Sequence, residues 1–193
     1  MTKAVFFDKD GTLIPDIPYN RDVQLITFNE GAQEALQKLA EHSYQFFIIS
    51  NQSGIARGFL NEADLEAIKR KLNEMFNKLG VQLAGFYYCP HDREGTVTSY
   101  ATHCDCRKPQ PGMLFRAARE HSLDLSESWF IGDILNDVEA GNRAGCHTIL
   151  FDNGNETEWT EGPYRNPDHK VSNLAEAAGL IIQHSYEKKE TSA

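Results

Sequence analysis

Two aspartates two residues apart, Asp8 and Asp10, end the apolar run Ala4-Val5-Phe6-Phe7 and lead into Gly11-Thr12-Leu13. In extended chain such a pair points one way, so the two carboxylates can share a metal ion or divide nucleophilic and acid/base work. An Asp-Gly turn closing a hairpin is the plainer alternative, but Leu13-Ile14-Pro15 does not continue as a clean partner strand. Further on, Ser50-Asn51-Gln52-Ser53-Gly54 offers hydroxyls, amides and backbone N–H groups of the kind that cradle a phosphate, with Arg57 near enough to join them; an ordinary strand-to-helix loop would read the same. Gly132-Asp133 again ends an apolar run in an acid. Asp133 can join Asp8 on Mg²⁺, which prefers carboxylate and water oxygens, while Asp137 braces the site from the first turn of the next helix.

A different chemistry is written between these segments. Cys89-Pro90-His91 is followed after twelve residues by Cys104-Asp105-Cys106. Each i, i+2 pair presents two donors to one side, and three thiolates with one imidazole form a closed tetrahedral zinc site of the structural kind. The alternative is a set of unconnected thiols, and His103 competes with His91 as the nitrogen donor; His91 is favoured because it pairs in register with Cys89. Residues 92–102 are polar and carry no core of their own, so a metal would explain how they hold a shape. Cys146 reads as a core thiol. Directly after the cluster stand Arg107 and Lys108, held between a stiffened loop and Pro109, and suited to fix a charged ligand.

The elements that must position these groups alternate. Apolar runs predict strands at residues 4–7, 45–49, 85–88, 129–131 and 147–151, and helical spacing predicts helices at 31–42, 61–79, 112–121, 138–144 and 173–183. The expected fold is α/β, a three-layer parallel sheet with the acids at the carboxyl ends of strands, where such sheets bind ligands. Residues 15–20, punctuated by two prolines, form either a plain connection or a loop closing over a ligand. One domain is expected over residues 1–185, with the zinc loop at 89–106 and a charged, frayed tail at 186–193.

Composition bounds the function. The 193 residues carry a net charge of −9, which argues against a nucleic-acid partner. A small phosphorylated substrate remains compatible, provided a metal ion and a few placed cations offset the acid. No stretch is long and apolar enough for a membrane span and no leader pattern precedes the first strand, so a cytoplasmic monomer with reduced cysteines is expected.

Asp8-Lys9-Asp10-Gly11-Thr12-Leu13 resembles the DxDGT signature of the haloacid-dehalogenase-like phosphatases. Ser50-Asn51, Lys108, and Gly132-Asp133 with Asp137 match that family's other motifs in order, over roughly the first 150 residues. Asn51-Gln52-Ser53-Gly54-Ile55-Ala56-Arg57-Gly58, Cys-Pro-His and Cys-Asp-Cys-Arg-Lys-Pro are similar to the members that act on a heptose bisphosphate or on histidinol phosphate. The resemblance implies a Rossmann-like fold without a large cap domain, the zinc loop shaping the pocket instead. It implies Asp8 as nucleophile, Asp10 as acid/base, and Mg²⁺ held by Asp8, the Asp10 backbone carbonyl and Asp133. Ser50, Asn51 and Lys108 would fix the phosphate, with Arg107, Arg57, Ser53, Asp16 and Tyr19 on the rest of the sugar. The implied reaction is removal of the 7-phosphate of a heptose 1,7-bisphosphate, with histidinol phosphate as the alternative substrate. One departure is Ile134, where relatives often carry a lysine. A phospho-acceptor signalling domain would also present a strand-end aspartate, but would need neither Asp10 as acid/base nor a zinc loop beside it.

Overall fold

The computed structural model describes residues 2–191. Six parallel strands form one sheet: β1 (Ala4–Phe7), β2 (Gln45–Asn51), β3 (Leu83–Cys89), β4 (Trp129–Gly132), β5 (His147–Phe151) and β6 (His169–Val171), in the order β3-β2-β1-β4-β5-β6. The order reverses at β1, and the crevice outside the carboxyl ends of β1 and its neighbours β2 and β4 is where such a sheet binds ligands.

The side-chain period of two divides the central strand between the two faces. Val5 and Phe7 pack with helices α1 (Ala32–Ala40), α2 (Glu62–Lys78) and α5 (Leu174–Thr191); Ala4 and Phe6 pack with α3 (Gly112–His121) and α4 (Leu135–Ala144). All four residues of β1 are fully buried, the near-continuous apolar reading expected of a strand covered on both faces. Helix α2 starts with a capping box in which Asn61 Oδ1 accepts from Asp64 N–H and Asp64 Oδ2 accepts from Asn61 N–H, both at 2.9 Å.

Two parts differ from expectation. Strand β6 has only three residues and no apolar run, and it forms because the outer edge of β5 offers unpaired backbone that Ile149 to Phe151 pair with His169 to Val171. Helix α5 does not stop near Gln183 to leave a frayed tail. It continues to Thr191, since Glu and Lys are good helix formers and the turn is tied by Gln183 to Glu187 at 2.8 Å and by an ion pair of Lys188 with Glu127. The last two residues of the expected tail lie outside the described residues. No helix among the described residues is long and apolar enough to cross a membrane.

The Phe6 ring lies against that of Phe47 at 5.4 Å between centroids, in the layer under α3 and α4. Phe6→Ala is expected to destabilise the fold by about 3–5 kcal/mol, read as a lowered urea midpoint at unchanged slope. A midpoint within error of the parent would mean that this layer is not close-packed.

Candidate active site

β1 delivers Asp8, whose N–H bonds Ile131 O at 2.9 Å, and the chain then folds back on itself through Leu13 N–H to Asp8 O and Ile14 N–H to Lys9 O. Gly11 makes this turn with φ +82°, and a Cβ there would fall on the Asp133 carboxylate and the Asn155 amide, so both conformation and space require glycine. Gly132 is required by space alone, because a Cβ would overlap the Asp137 side chain.

Asp8, Asp133 and Asp137 converge, with one carboxylate oxygen of each within 4.8 Å of the others, and all three are buried. Lys108 reaches into this cluster from the end of the cysteine loop. Its Nζ donates to Asp8 Oδ1 and, at 3.0 Å, to Ile49 O, and lies 2.6 Å from Asp137 Oδ1 as an ion pair. Burial opposes the ammonium charge, but Asp137 and Asp8 outweigh it and hold Lys108 well above the usual lysine range. The carboxyls also move up. Burial pushes Asp8 to about 7 and Asp133 to about 6, and raises Asp137, despite the ammonium beside them. Beyond burial, three carboxylates face one ammonium, so that two negative charges stay uncompensated when all three are ionised. A divalent cation fits that deficit and this all-oxygen donor set, so Asp8 and Asp133 are suited to hold Mg²⁺.

Asp10 lies outside the three-carboxylate cluster. The turn aims its carboxylate into a cavity of about 280 Å³, where Oδ2 accepts from Gln52 Nε2 at 3.0 Å and Oδ1 from Lys9 Nζ at 2.6 Å. Asn51, Ser53, Asp16 and Tyr19 line the same cavity, and the Tyr19 ring lies tilted against Phe59 at 4.4 Å between centroids, joining two loops. Ser50 is buried behind it and its Oγ accepts from Gln52 Nε2 at 2.7 Å. The Asn51 side chain spends both ends on Lys108, accepting from its N–H at 3.0 Å and donating to its C=O at 3.1 Å. Arg57 and Arg107 stand beside the cavity without lining it. Arg57 Nε pairs with Asp92 Oδ2 at 2.8 Å while its guanidinium also meets Tyr19 of the cavity, and Arg107 Nη1 donates to His91 O at 3.1 Å.

Four side chains escaped the reading of the sequence. Gln52 bridges Ser50 and Asp10, and Lys9 pairs with Asp10. Thr12 Oγ1 donates to Asp133 Oδ1 at 3.0 Å, and Asn155 Nδ2 to Asp133 Oδ2 at 2.6 Å. Gln52 and Thr12 stand inside motifs, where a side chain able to donate was the available signal. Asn155 stands in a polar loop whose sequence carries none.

The cysteine loop gathers Cys89, His91, Cys104 and Cys106, and leaves His103 exposed. A tetrahedral zinc ion with the usual bond lengths sets edges of about 3.8 Å between thiolates and about 3.6 Å between thiolate and imidazole. Here Cys89 Sγ is 3.5 Å from Cys104 Sγ and 3.0 Å from Cys106 Sγ, and His91 Nδ1 is 3.6 Å and 3.4 Å from Cys89 and Cys106. The donor set fits. The neighbouring Cys89 sulfur and His91 hold the Cys106 thiol below its ordinary value against its burial, which favours the deprotonated form that a cation binds. Cys146 is buried apart from the cluster, as a core thiol should be.

The loop also braces the cavity wall. Val97 N–H bonds Ala56 O at 2.8 Å, Thr96 Oγ1 bonds Arg57 O at 3.2 Å and Gln52 N–H bonds Cys89 O at 2.7 Å. Purified protein is expected to carry one zinc per chain by metal analysis. Cys104→Ser should lose it, lower the melting temperature and raise KM more than it lowers kcat; full metal content in that variant would refute the donor set.

Comparison with known proteins points one way. A family model described as HAD-hyrolase-like matches residues 105–177. The D-glycero-β-D-manno-heptose-1,7-bisphosphate 7-phosphatase of Pasteurella multocida (strain Pm70) is 37% identical over 182 residues, covering 94% of this chain and 97% of its own. The enzyme of the same name from Photorhabdus laumondii is 42% identical over 148 residues, 77% of this chain and 79% of its own. The D,D-heptose 1,7-bisphosphate phosphatase of B. bronchiseptica, whose crystal structure is complexed with magnesium and phosphate, superposes with a TM-score of 0.81 at 28% identity, over 95% of this chain and 99% of that one. With that fold, that arrangement of acids and likeness along nearly its whole length, the chain belongs to the D-glycero-β-D-manno-heptose-1,7-bisphosphate 7-phosphatase family of haloacid-dehalogenase-like hydrolases.

Proposed function

We propose that this chain removes the 7-phosphate of D-glycero-β-D-manno-heptose 1,7-bisphosphate through an aspartyl phosphate on Asp8. The observation that carries the reading is the convergence of Asp8, Asp133, Asp137 and Lys108 at the switch point of the sheet, with Asp10 two residues on and facing a cavity. The names of the relatives favour the heptose bisphosphate over histidinol phosphate, and their β-anomer over the α.

In this reading the Asp8 carboxylate attacks phosphorus in line, and the bond from phosphorus to the sugar oxygen breaks. Asp10 gives its proton to that leaving oxygen. The resulting carboxylate takes a proton from water, whose oxygen attacks the aspartyl phosphate, releasing inorganic phosphate and restoring Asp8. Gln52 and Lys9 hold Asp10 over the cavity during both transfers. Lys108 fixes Asp8 and supplies a positive charge beside the transferring group, while Asn51 fixes Lys108. Mg²⁺, held by Asp8, the Asp10 carbonyl and Asp133, would neutralise charge developing on the phosphoryl oxygens. Ser50 and Ser53 are assigned to the phosphate and its sugar, with Asp16 and Tyr19 at the cavity mouth. Arg57 and Arg107 are assigned to the rest of the sugar, through the guanidinium N–H groups not used on Asp92 and the His91 carbonyl. Zn²⁺ on Cys89, His91, Cys104 and Cys106 is structural.

Asp8→Asn should give no measurable phosphate release, and Asp10→Asn a loss of about 10²–10⁴-fold, both with parental melting temperatures in the presence of Mg²⁺. Release is measured on both anomers of the heptose bisphosphate and on histidinol phosphate. Unchanged turnover in either variant would remove the mechanism, and preference for histidinol phosphate would remove the substrate.

The raised carboxyl pKa values give a sign for pH. Without metal, the folded state keeps protons on Asp8 and Asp133 up to about 7 and about 6, against 3.8 in the unfolded chain. The folded state therefore binds more protons between those limits, and metal-free stability falls as pH rises through that window. Mg²⁺ must displace these protons. Its affinity, followed by calorimetry, should rise from pH 5.5 to 7.5, and the melting temperature gained on adding Mg²⁺ should be larger at the upper end. A pH-independent affinity would contradict the charge count.

A further inference from the structure

The connection from β5 to β6, residues 152–168, reads in sequence as a plain polar loop, yet it is fastened to the catalytic end of the sheet at several points. Asn153 Nδ2 donates to Gly11 O at 2.6 Å, and Asn155 Nδ2 to Asp133 Oδ2 at 2.6 Å. Asn155 N–H returns to Asn153 Oδ1 at 3.1 Å, so the two amides are set against each other in one turn. The next residue, Glu156, is buried and receives N–H groups from Leu135 at 2.6 Å, Glu158 at 2.8 Å and Trp159 at 3.3 Å. Leu135 is the first residue of α4, the helix that carries Asp137. Burial works against the Glu156 charge, but these N–H bonds hold the carboxyl below its ordinary value. The far end of the loop is tied to the same helix, where Asn142 Nδ2 donates to Tyr164 O and Asn166 O, each at 2.9 Å.

Asp133 is thereby gripped on both oxygens, by Thr12 Oγ1 on Oδ1 and by Asn155 Nδ2 on Oδ2. We propose that Asn155 is a positioning residue of this site, fixing the orientation in which Asp133 meets the divalent cation, with Glu156 anchoring the loop that carries it. The proposal rests on the Mg²⁺ phosphatase reading above and adds to it a fifth chain segment. An aspartate that accepts only from Thr12 turns more freely about its Cβ–Cγ bond. Ordering it then falls to the metal, and affinity drops without any change in the reacting groups. Asn155 touches neither Asp8 nor Asp10 by any recorded hydrogen bond, so the effect falls on metal binding before it falls on the chemical step.

The test uses full-length protein and MgCl₂ alone. Asn155→Ala is expected to weaken Mg²⁺ about tenfold by calorimetry in the absence of substrate, to raise the Mg²⁺ concentration for half-maximal turnover by a similar factor, and to leave kcat at saturating Mg²⁺ within about threefold. Asn155→Ser, which keeps a donor, should recover part of the loss. Asn142→Ala loosens the same loop away from Asp133 and should keep the parental Mg²⁺ affinity; an equal loss there would mean general loop disorder and would overturn the assignment. Parental Mg²⁺ affinity in Asn155→Ala would also overturn it. A parent that binds no Mg²⁺ would instead remove the phosphatase reading together with the inference built on it.

Discussion

One ammonium set among three buried carboxylates is the constraint around which this molecule is built. Lys108 touches Asp8 and lies beside Asp137, Asp133 stands within reach, and none of these groups meets much water. Burying charge in this way is costly unless each partner is held in place. The fold meets that demand with backbone. Ile49 O takes one bond from the ammonium, Asn51 clamps both backbone groups of Lys108, and the strand ends of β1 and β4 present Asp8 and Asp133 side by side. The charge left over is a feature of the site. It favours a divalent cation, and with that ion bound the three carboxylates are balanced by Lys108 and the metal, so that the site no longer repels an anionic substrate in a chain of net charge −9.

The cysteine loop answers a second demand, that Lys108 arrive from a stiff support. Residues 92–102 give Tyr100 and Asp92 to contacts with the body of the protein, and the loop is held besides by the four donors gathered at its base and by bonds to the segment after β2. Those same bonds reach Gln52 in the cavity wall and Ala56 and Arg57 just beyond it. One cluster therefore stiffens two neighbours: the lysine on its carboxyl side and the loop that closes the cavity. No large cap domain is needed for this, because the tie is short.

How much of this was legible depends on the residue. Asn61 and Asp64 marked the start of α2 because a capping box is local, and α3 and β5 were bounded correctly by Gly112, His121 and the apolar run after Cys146. Strand β6 escaped because three residues pairing with an edge carry no periodic signal, and α5 ran past Gln183 because a charged solvent face is no obstacle to a helix. Asp8, Lys108 and Asp133 were read from motifs, and they do converge. Arg57 and Arg107 were expected beside the substrate by their chemistry; which partners each also holds, Asp92 for Arg57 and the His91 carbonyl for Arg107, is set by the fold and carries no local signal.

The sequence by itself determined the strand-and-helix alternation, the acids at strand ends and the sulfur and nitrogen donors at zinc spacing, since each is a matter of residue type and near neighbours. Only the tertiary structure decided that Asp10 leaves the carboxylate cluster for the cavity, that Asn51 serves Lys108, and that Asn155 reaches Asp133 from the loop after β5. Those contacts join residues 22 to 57 positions apart, or turn on one left-handed glycine. Their partners are chosen by the parallel crossovers that set strand ends side by side, and no local rule contains that choice.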